Sequence, residues 1–123
     1  MSMEIVERLV GNVAILDLSG RLILSDGEEL FRKKVDDLVG RGQLHVLVNF
    51  QDVNYLDSAG VGAVVWKYVT LRRQGGALKL LNLKPRTHRV LTTTRLLTVF
   101  ENFDSEDEAV ASFGSDSRPS AGR

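Results

Sequence analysis

A short polar segment near the middle of the chain, Asp57-Ser58-Ala59-Gly60-Val61-Gly62, carries the residue types best suited to chemistry. It lies between an apolar run typical of a strand and one with the periodicity of a helix, so Ser58 is predicted at a helix N-terminus. A hydroxyl there lies beside backbone N–H groups that lack intrahelical acceptors, and these would stabilise a phosphate. Two interpretations are open: Asp57 or Ser58 simply caps the helix, or Ser58 accepts a phosphate that a partner recognises.

The two glycines of this segment also have two interpretations. Gly60 and Gly62 could allow the helix to pack closely against a sheet, since a residue without a side chain permits close backbone approach. They could equally leave the Ser58 hydroxyl open to an enzyme or a partner protein. The sequence does not decide between packing and interface.

Other chemistry has little support in the residues. There is no cysteine, and His45 and His88 have no partners at metal-ligand or triad spacing, so we expect no metal site. The G-x-S-x-G elbow, the phosphate-binding loop and the dinucleotide fingerprint are missing. We therefore expect a protein that is not an enzyme and needs no cofactor. Three arginines, Arg86, Arg89 and Arg95, predict a local basic face that either faces solvent or touches a phosphate or an acidic partner.

Composition limits the possible partners and the location. Sixteen basic residues balance sixteen acidic ones, which disfavours binding to nucleic acid or to an anionic membrane. No apolar stretch approaches the roughly 20 residues of a membrane span, and the start of the chain lacks the order of a signal peptide. We expect a cytoplasmic protein.

The elements that position Ser58 follow from hydrophobic periodicity. An N-terminal hairpin precedes a helix predicted to start at a capping box, Ser25 to Glu28, and to stop at Gly40. The predicted strands and helices that follow are strand Leu44–Phe50, a helix from Ala59 to about Gly75, strand Ala77–Leu83, a helix from Pro85, strand Val99–Phe103 and a helix capped at Ser105. For Leu22, Ile23 and Leu24, burial as an extension of the preceding strand is favoured over an exposed contact patch.

This alternation of strands and helices predicts an α/β fold with a mostly parallel central sheet. We expect about five strands, with the N-terminal hairpin strand at the edge, and about four helices. Residues 1–113 form the predicted single domain, and the polar residues 114–123 a disordered C-terminal tail.

Taken in order, five landmarks resemble the STAS domain family of anti-sigma-factor antagonists: "LDLSGRL", "DSAGVG", "GGALKLLNL", "RVLTTTRL" and "FENFDSEDEAV". The resemblance covers almost all of the predicted domain. It implies that Ser58 is phosphorylated by a cognate anti-sigma factor that is itself a serine kinase. Unphosphorylated, the protein would bind that kinase and release the sigma factor, and a separate phosphatase would remove the phosphate.

The resemblance also implies a partner-binding surface and leaves alternatives. The expected surface consists of Asp57, Ser58, Ala59, Gly60, Val61 and Gly62 together with Leu22, Ile23 and Ser25. Ile23 departs from the family pattern, since many antagonists have an acidic residue there. One alternative is a STAS-type scaffold or adaptor that phosphorylation does not regulate, as in a stressosome or a lipid-transport ATPase. Another is a small-molecule or nucleotide-binding module. A monomer or weak dimer is expected.

Overall fold

Strands and helices alternate along the chain after an N-terminal hairpin. The computed structural model describes residues 3–116. The strands are β1 (Glu4–Val10), β2 (Val13–Leu22), β3 (His45–Leu56), β4 (Ala77–Leu81) and β5 (Asn102–Phe103). The helices are α1 (Glu28–Gly40), α2 (Ser58–Arg73), α3 (Pro85–Thr93) and α4 (Glu106–Asp116), and Leu97–Val99 form a short 3-10 helix.

The five strands form one mixed sheet in the order β1-β2-β3-β4-β5. The edge strand β1 is antiparallel to β2, and the other neighbouring strands are parallel. Parallel pairs need a crossover, and each of the helices α1, α2 and α3 lies between two parallel strands. The α/β fold class, the edge position of the N-terminal strand and the predicted numbers of strands and helices are confirmed.

Side chains of the central strands alternate between two hydrophobic clusters, one on each face of the sheet. In β2, Leu16 and Leu18 contribute to the larger cluster, which also contains buried residues of α1, α2 and α3, whereas Ile15 contributes to the smaller one. The smaller cluster is completed by Ala109 and Phe113 of α4. Because alternate side chains of a strand point to opposite faces, the continuous apolar runs of β2, β3 and β4 are those of strands covered on both sides.

Three predicted strands have different lengths in the structure. β4 ends at Leu81, two residues before the predicted end at Leu83. β3 continues six residues past the predicted end at Phe50, because its second half pairs with the end of β2, where Leu22 lies opposite Leu56. The predicted strand Val99–Phe103 is wrong at its start. The backbone around Val99 forms a 3-10 turn, and Phe100 is buried edge-on against Tyr68.

The C-terminal helix starts as the sequence predicts and ends later. The Ser105 hydroxyl accepts a hydrogen bond from the Glu108 N–H at 3.2 Å, which caps the first turn of α4. The helix then continues to Asp116, past the predicted domain boundary at residue 113. The rest of the predicted disordered tail, residues 117–123, lies outside the described residues and stays a prediction. Among the helices of residues 3–116, none has the length and apolar character that crossing a bilayer requires.

Candidate functional site

The chain reverses direction between β3 and α2, and Asp57 makes the turn. Its backbone is extended, with φ −118° and ψ −176°, and its carboxylate Oδ1 accepts a hydrogen bond from the Gly60 N–H at 2.9 Å. The backbone carbonyl of Asp57 accepts the first helical bond from the Val61 N–H. Asp57 is therefore the N-cap of α2, and the capping role is settled in its favour.

Ser58 is the first residue of α2 and is exposed. No hydrogen bond joins its hydroxyl to another side chain or to the backbone within the part of the chain that the structure describes. Since Asp57 already caps the helix, Ser58 is not needed for that role. The result is an exposed hydroxyl at the positive end of a helix dipole, where a negative group is favoured.

Gly60 explains how α2 lies so close to the end of β2. A Cβ atom built on Gly60 would lie 2.0 Å from the carbonyl oxygen of Leu22, a contact that no side chain could make without moving the backbone. A Cβ atom on Gly62 would have no atom within 4 Å. The two glycines therefore have different roles: Gly60 allows close packing, and Gly62 leaves the helix surface open.

The segment after β2 forms a tight turn rather than the start of a helix. The backbones of Ile23 and Asp26 exchange two hydrogen bonds, 2.9 and 3.0 Å long, and Ser25 between them has a left-handed φ of 68°. The predicted capping box at Ser25 is wrong, because the N-cap of α1 is Gly27 with φ 93° and no side-chain cap. A Cβ atom built on Gly27 would lie 2.2 Å from the Arg21 carbonyl oxygen, so only glycine fits at this position.

An ion pair also closes this turn. Arg21 Nη2 lies 2.6 Å from Asp26 Oδ2, which is buried, although the alignment of these two atoms does not make a hydrogen bond. The ion pair joins the last residues of β2 to the turn that follows them. The turn is thereby held at both ends, by backbone pairing and by charge.

Asp57 ties this turn to the start of α2. While Oδ1 caps the helix, Oδ2 accepts a hydrogen bond from the Leu24 N–H at 3.1 Å. One carboxylate thus fixes two segments that are 33 residues apart in sequence. The structure brings together the two parts of the predicted partner-binding surface, the turn after β2 and the start of α2.

The predicted partner-binding residues differ in how accessible they are. Leu22, Gly60 and Val61 are buried, so we correct their assignment: they position the surface from below and do not form it. Asp57, Ala59 and Ile23 are half-buried, and Ser58, Gly62 and Ser25 are exposed. The predicted burial is confirmed for Leu22 and is wrong for Leu24, which is exposed.

Three exposed apolar side chains lie on the segments around Ser58, and the sequence indicates only one of them, Leu24, as an alternative contact residue. They are Leu24, Tyr55 and Trp66, with exposed fractions of 65%, 52% and 61%. Leu24 lies at the tip of the turn bonded to Asp57, and Tyr55 precedes Ser58 by three residues at the end of β3. Trp66 lies two turns along α2, about 80° around the helix from Ser58 with Gly62 between them. Local sequence does not mark these three side chains as exposed, because their exposure appears only once the strand and helix faces are known.

His88 does not complete a catalytic site. Its ring nitrogen Nδ1 lies 3.5 Å from the hydroxyl oxygen of Thr92, one turn further along α3. A serine nucleophile needs a base within hydrogen-bond reach, and the Ser58 hydroxyl has none among residues 3–116.

Comparison with known proteins agrees with the order of elements. The STAS domain family model matches residues 4–109. The chain is 25% identical over 111 residues to the anti-sigma F factor antagonist of Paenibacillus polymyxa, covering 89% of this chain and 94% of that protein. It is 33% identical over 72 residues to the anti-sigma-B factor antagonist of Bacillus subtilis, covering 58% and 65%.

A solved structure shows the same fold. The Bacillus anti-sigma factor antagonist SpoIIAA in its unphosphorylated form superposes with a TM-score of 0.77 at 24% identity, covering 91% of this chain and 97% of that one. Its phosphorylated form superposes with a TM-score of 0.69, covering 90% and 98%. Because the family model spans most of the chain, this protein belongs to the STAS domain family.

Proposed function

We propose that this protein is an anti-sigma factor antagonist whose switch is Ser58. While the hydroxyl is free, the protein binds an anti-sigma factor that is a serine kinase, and the sigma factor is released. Phosphorylation of Ser58 by that kinase ends the binding, and a separate phosphatase restores it. The observation that carries the proposal is the exposed Ser58 hydroxyl, free of hydrogen bonds to residues 3–116, at the start of α2 in a STAS domain.

The chemistry assigns this chain the role of substrate. The Ser58 oxygen attacks the γ-phosphorus of an ATP held by the kinase, the bond to the β-phosphate oxygen breaks, and ADP leaves. The hydroxyl proton goes to a base on the kinase, and the product is a phosphate monoester that the phosphatase hydrolyses with water. ATP and its metal ion belong to the kinase, so no cofactor is assigned to this chain.

Phosphorylation should leave the domain folded. The new phosphate lies beside the first N–H groups of α2, where an exposed anion gains about 0.3–1 kcal/mol. Asp57 opposes part of this gain by charge repulsion, but both of its oxygens are already occupied by N–H donors of Gly60 and Leu24. The two effects act in opposite directions at an exposed site, so neither threatens the stability of the fold.

The effect falls instead on the complex. A phosphoserine carries about −1.5 to −2 charges, and a partner that covers it must remove its water. Unfavourable charge placement across an interface costs several kcal/mol, and each 1.4 kcal/mol is a factor of ten in affinity. One modification of an exposed hydroxyl can therefore change binding by orders of magnitude.

The exposed apolar residues supply the attractive part of the same surface. Large aromatic side chains dominate binding energy at protein interfaces, and Tyr55 and Trp66 are both more than half exposed. Leu24 extends this surface at the tip of the turn that Asp57 holds. A partner that contacts these side chains has Ser58 within the contact area.

Phosphorylation can be tested by intact-mass analysis. The protein is incubated with ATP and each purified anti-sigma factor kinase encoded in the source genome. We expect the mass of one phosphate to be added to the wild type and to a Ser25→Ala variant, which removes an exposed serine of the same surface, and not to Ser58→Ala. Phosphate on Ser58→Ala, or none on the wild type with any kinase, would contradict the proposal and favour a scaffold role.

A further inference from the structure

The basic residues of this chain fall into two groups that differ in their partners. Between residues 3 and 57 there are six, and each one forms an ion pair with a carboxylate. They are Arg8, Arg21, Arg32, Lys33, Lys34 and Arg41. Their positive charges are therefore neutralised within the fold.

Residues 58–100 carry eight basic residues and no acidic one. Two of the eight, Lys67 and Lys79, are buried and pair with Asp36 and Glu101. The other six are exposed and form no ion pair with any carboxylate of residues 3–116. They are Arg72, Arg73, Lys84, Arg86, Arg89 and Arg95.

Three of these six cations gather at the start of α3. Lys84, Arg86 and Arg89 line a shallow cleft of about 470 Å³ together with Val53 and Asn54 at the end of β3. We name these three side chains the α3 basic patch. Like charges held close together repel one another, so such a cluster without carboxylates is best stabilised by an acidic surface from outside.

The α3 basic patch adjoins the Ser58 surface. Arg86 donates a hydrogen bond from Nη1 to the Asn54 carbonyl oxygen at 3.2 Å, and its guanidinium lies 5.3 Å from the centre of the Tyr55 ring. Asn54 and Ser58 are four residues apart, at most about 13 Å of extended chain. A standard interface buries about 800 Å² on each partner, a disc of about 16 Å radius. An interface centred on Ser58 therefore extends to the α3 basic patch.

We propose that the α3 basic patch docks against an acidic surface of the anti-sigma factor kinase, next to the active site that receives Ser58. This inference rests on the proposed function and adds a second contact region to it. The patch accelerates association by attracting the acidic surface before the Ser58 surface is seated. Phosphorylation at Ser58 removes the contact at the centre of the interface and leaves this attraction at its rim.

A protein partner fits the patch better than nucleic acid or a membrane. Proteins that hold DNA by its backbone make about 6–10 phosphate contacts, and the patch offers three cations in a chain without net charge. The neighbouring Tyr55 is 52% exposed, and aromatic side chains are enriched at protein interfaces. An acidic protein surface is therefore the occupant that the charge and the neighbouring side chains favour.

The test compares two double variants with the same change in charge. Lys84→Gln/Arg89→Gln removes two cations of the patch and keeps Arg86, which supports Tyr55. Arg73→Gln/Arg95→Gln removes two exposed cations that also lack ion pairs, and Arg73 lies at the far end of α2, about 22 Å along the helix from Ser58. Association and dissociation rates with the purified kinase are measured by stopped flow at low and high salt, after circular dichroism has shown native unfolding curves.

We expect the patch variant to associate about tenfold more slowly at low salt, with a weaker salt dependence and a nearly unchanged dissociation rate. The control variant should stay within about twofold of the wild type. Equal association rates for the two variants would overturn the docking role. The proposed function would still stand in that case if a Ser58→Asp variant failed to bind the kinase. Binding of the wild type, but not the patch variant, to phosphatidylglycerol vesicles would assign the patch to a membrane. A wild type that binds none of the kinases would overturn both proposals.

Discussion

Substitution of Gly60 by alanine should distort the junction on which the site is built. The added Cβ would lie 2.0 Å from the carbonyl oxygen of Leu22, 2.9 Å from its carbonyl carbon and 3.0 Å from Leu56 Cδ1. Two of these three atoms belong to the backbone of β2, which cannot rotate away as a flexible side chain can. Either α2 moves outward or the end of β2 moves with the turn that follows it.

The magnitude follows from a matched comparison with Gly62→Ala. Both glycines are in the first two turns of α2, and each alanine gains helix propensity, up to about 1 kcal/mol in a helix interior. Only Gly60→Ala adds a steric clash, and overpacking costs about 1–3 kcal/mol, occasionally more. Since the propensity gain is common to both, the difference between the two variants isolates the clash. We expect Gly60→Ala to be less stable than Gly62→Ala by about 1–3 kcal/mol or more.

Urea unfolding followed by circular dichroism measures this difference. Gly62→Ala should equal or exceed the wild type in its free energy of unfolding, because nothing lies within 4 Å of the new methyl group. In Gly60→Ala the Leu24 N–H should also exchange with solvent faster, because its bond to Asp57 is disturbed. If the two alanine variants unfolded at the same urea concentration with the same slope, the close approach of α2 to β2 would be refuted.

Three further predictions concern the cap, the acid stability and the apolar surface. Asp57→Ala should destabilise the protein by about 1–2 kcal/mol in urea, and Asp57→Asn by about half as much, since asparagine can still cap α2 but presents only one carbonyl oxygen. Burial tends to raise the pKa of Asp17, but hydrogen bonds from Arg8 and Asn49 outweigh it and lower the pKa. The resulting stability is present above the unfolded value near pH 3.9 and is lost as the pH falls through the lower folded value, so Asp17→Asn should flatten the acid limb of a stability–pH curve. Trp66→Ala should weaken kinase binding in calorimetry by about tenfold or more without lowering the stability, because the side chain is mostly exposed; unchanged affinity would remove it from the interface.

The order of elements was predictable because strands and helices have different periodicities. The apolar runs of β2, β3 and β4 and the helical spacing in α2 are local signals, and they sufficed for the fold class. The position of Ser58 at a helix N-terminus followed from the same boundary. What local signals could not predict was the length of β3, because its second half depends on pairing with the end of β2.

The errors at the site come from backbone contacts that helix and capping-box spacing do not reveal. The spacing of Ser25 and Glu28 fits a capping box, but the contact of Gly27 with the Arg21 carbonyl oxygen imposes a different turn. The sequence does not distinguish the roles of Gly60 and Gly62. They differ because only Gly60 lies against the backbone of β2. Tertiary geometry therefore overrides local preference at the point where three segments meet.

The sequence alone predicts only part of the charge distribution. The absence of acidic residues from 58 to 100 can be counted in the sequence, yet the whole-chain balance of sixteen and sixteen conceals it. Which cations pair internally depends on the fold: Lys67 is buried against Asp36, 31 residues earlier, whereas Arg86 faces solvent beside Tyr55. The exposed unpaired group is visible only after these pairings are known.

The affinity of the purified kinase for Ser58→Ala and Ser58→Asp, measured side by side by isothermal titration calorimetry, tests the central claim most directly. The alanine variant keeps a neutral side chain at the start of α2 and should bind like the unphosphorylated wild type. The aspartate variant places a second carboxylate next to Asp57 and should bind at least tenfold more weakly. Equal dissociation constants for the two variants would contradict a switch that works by charge at Ser58.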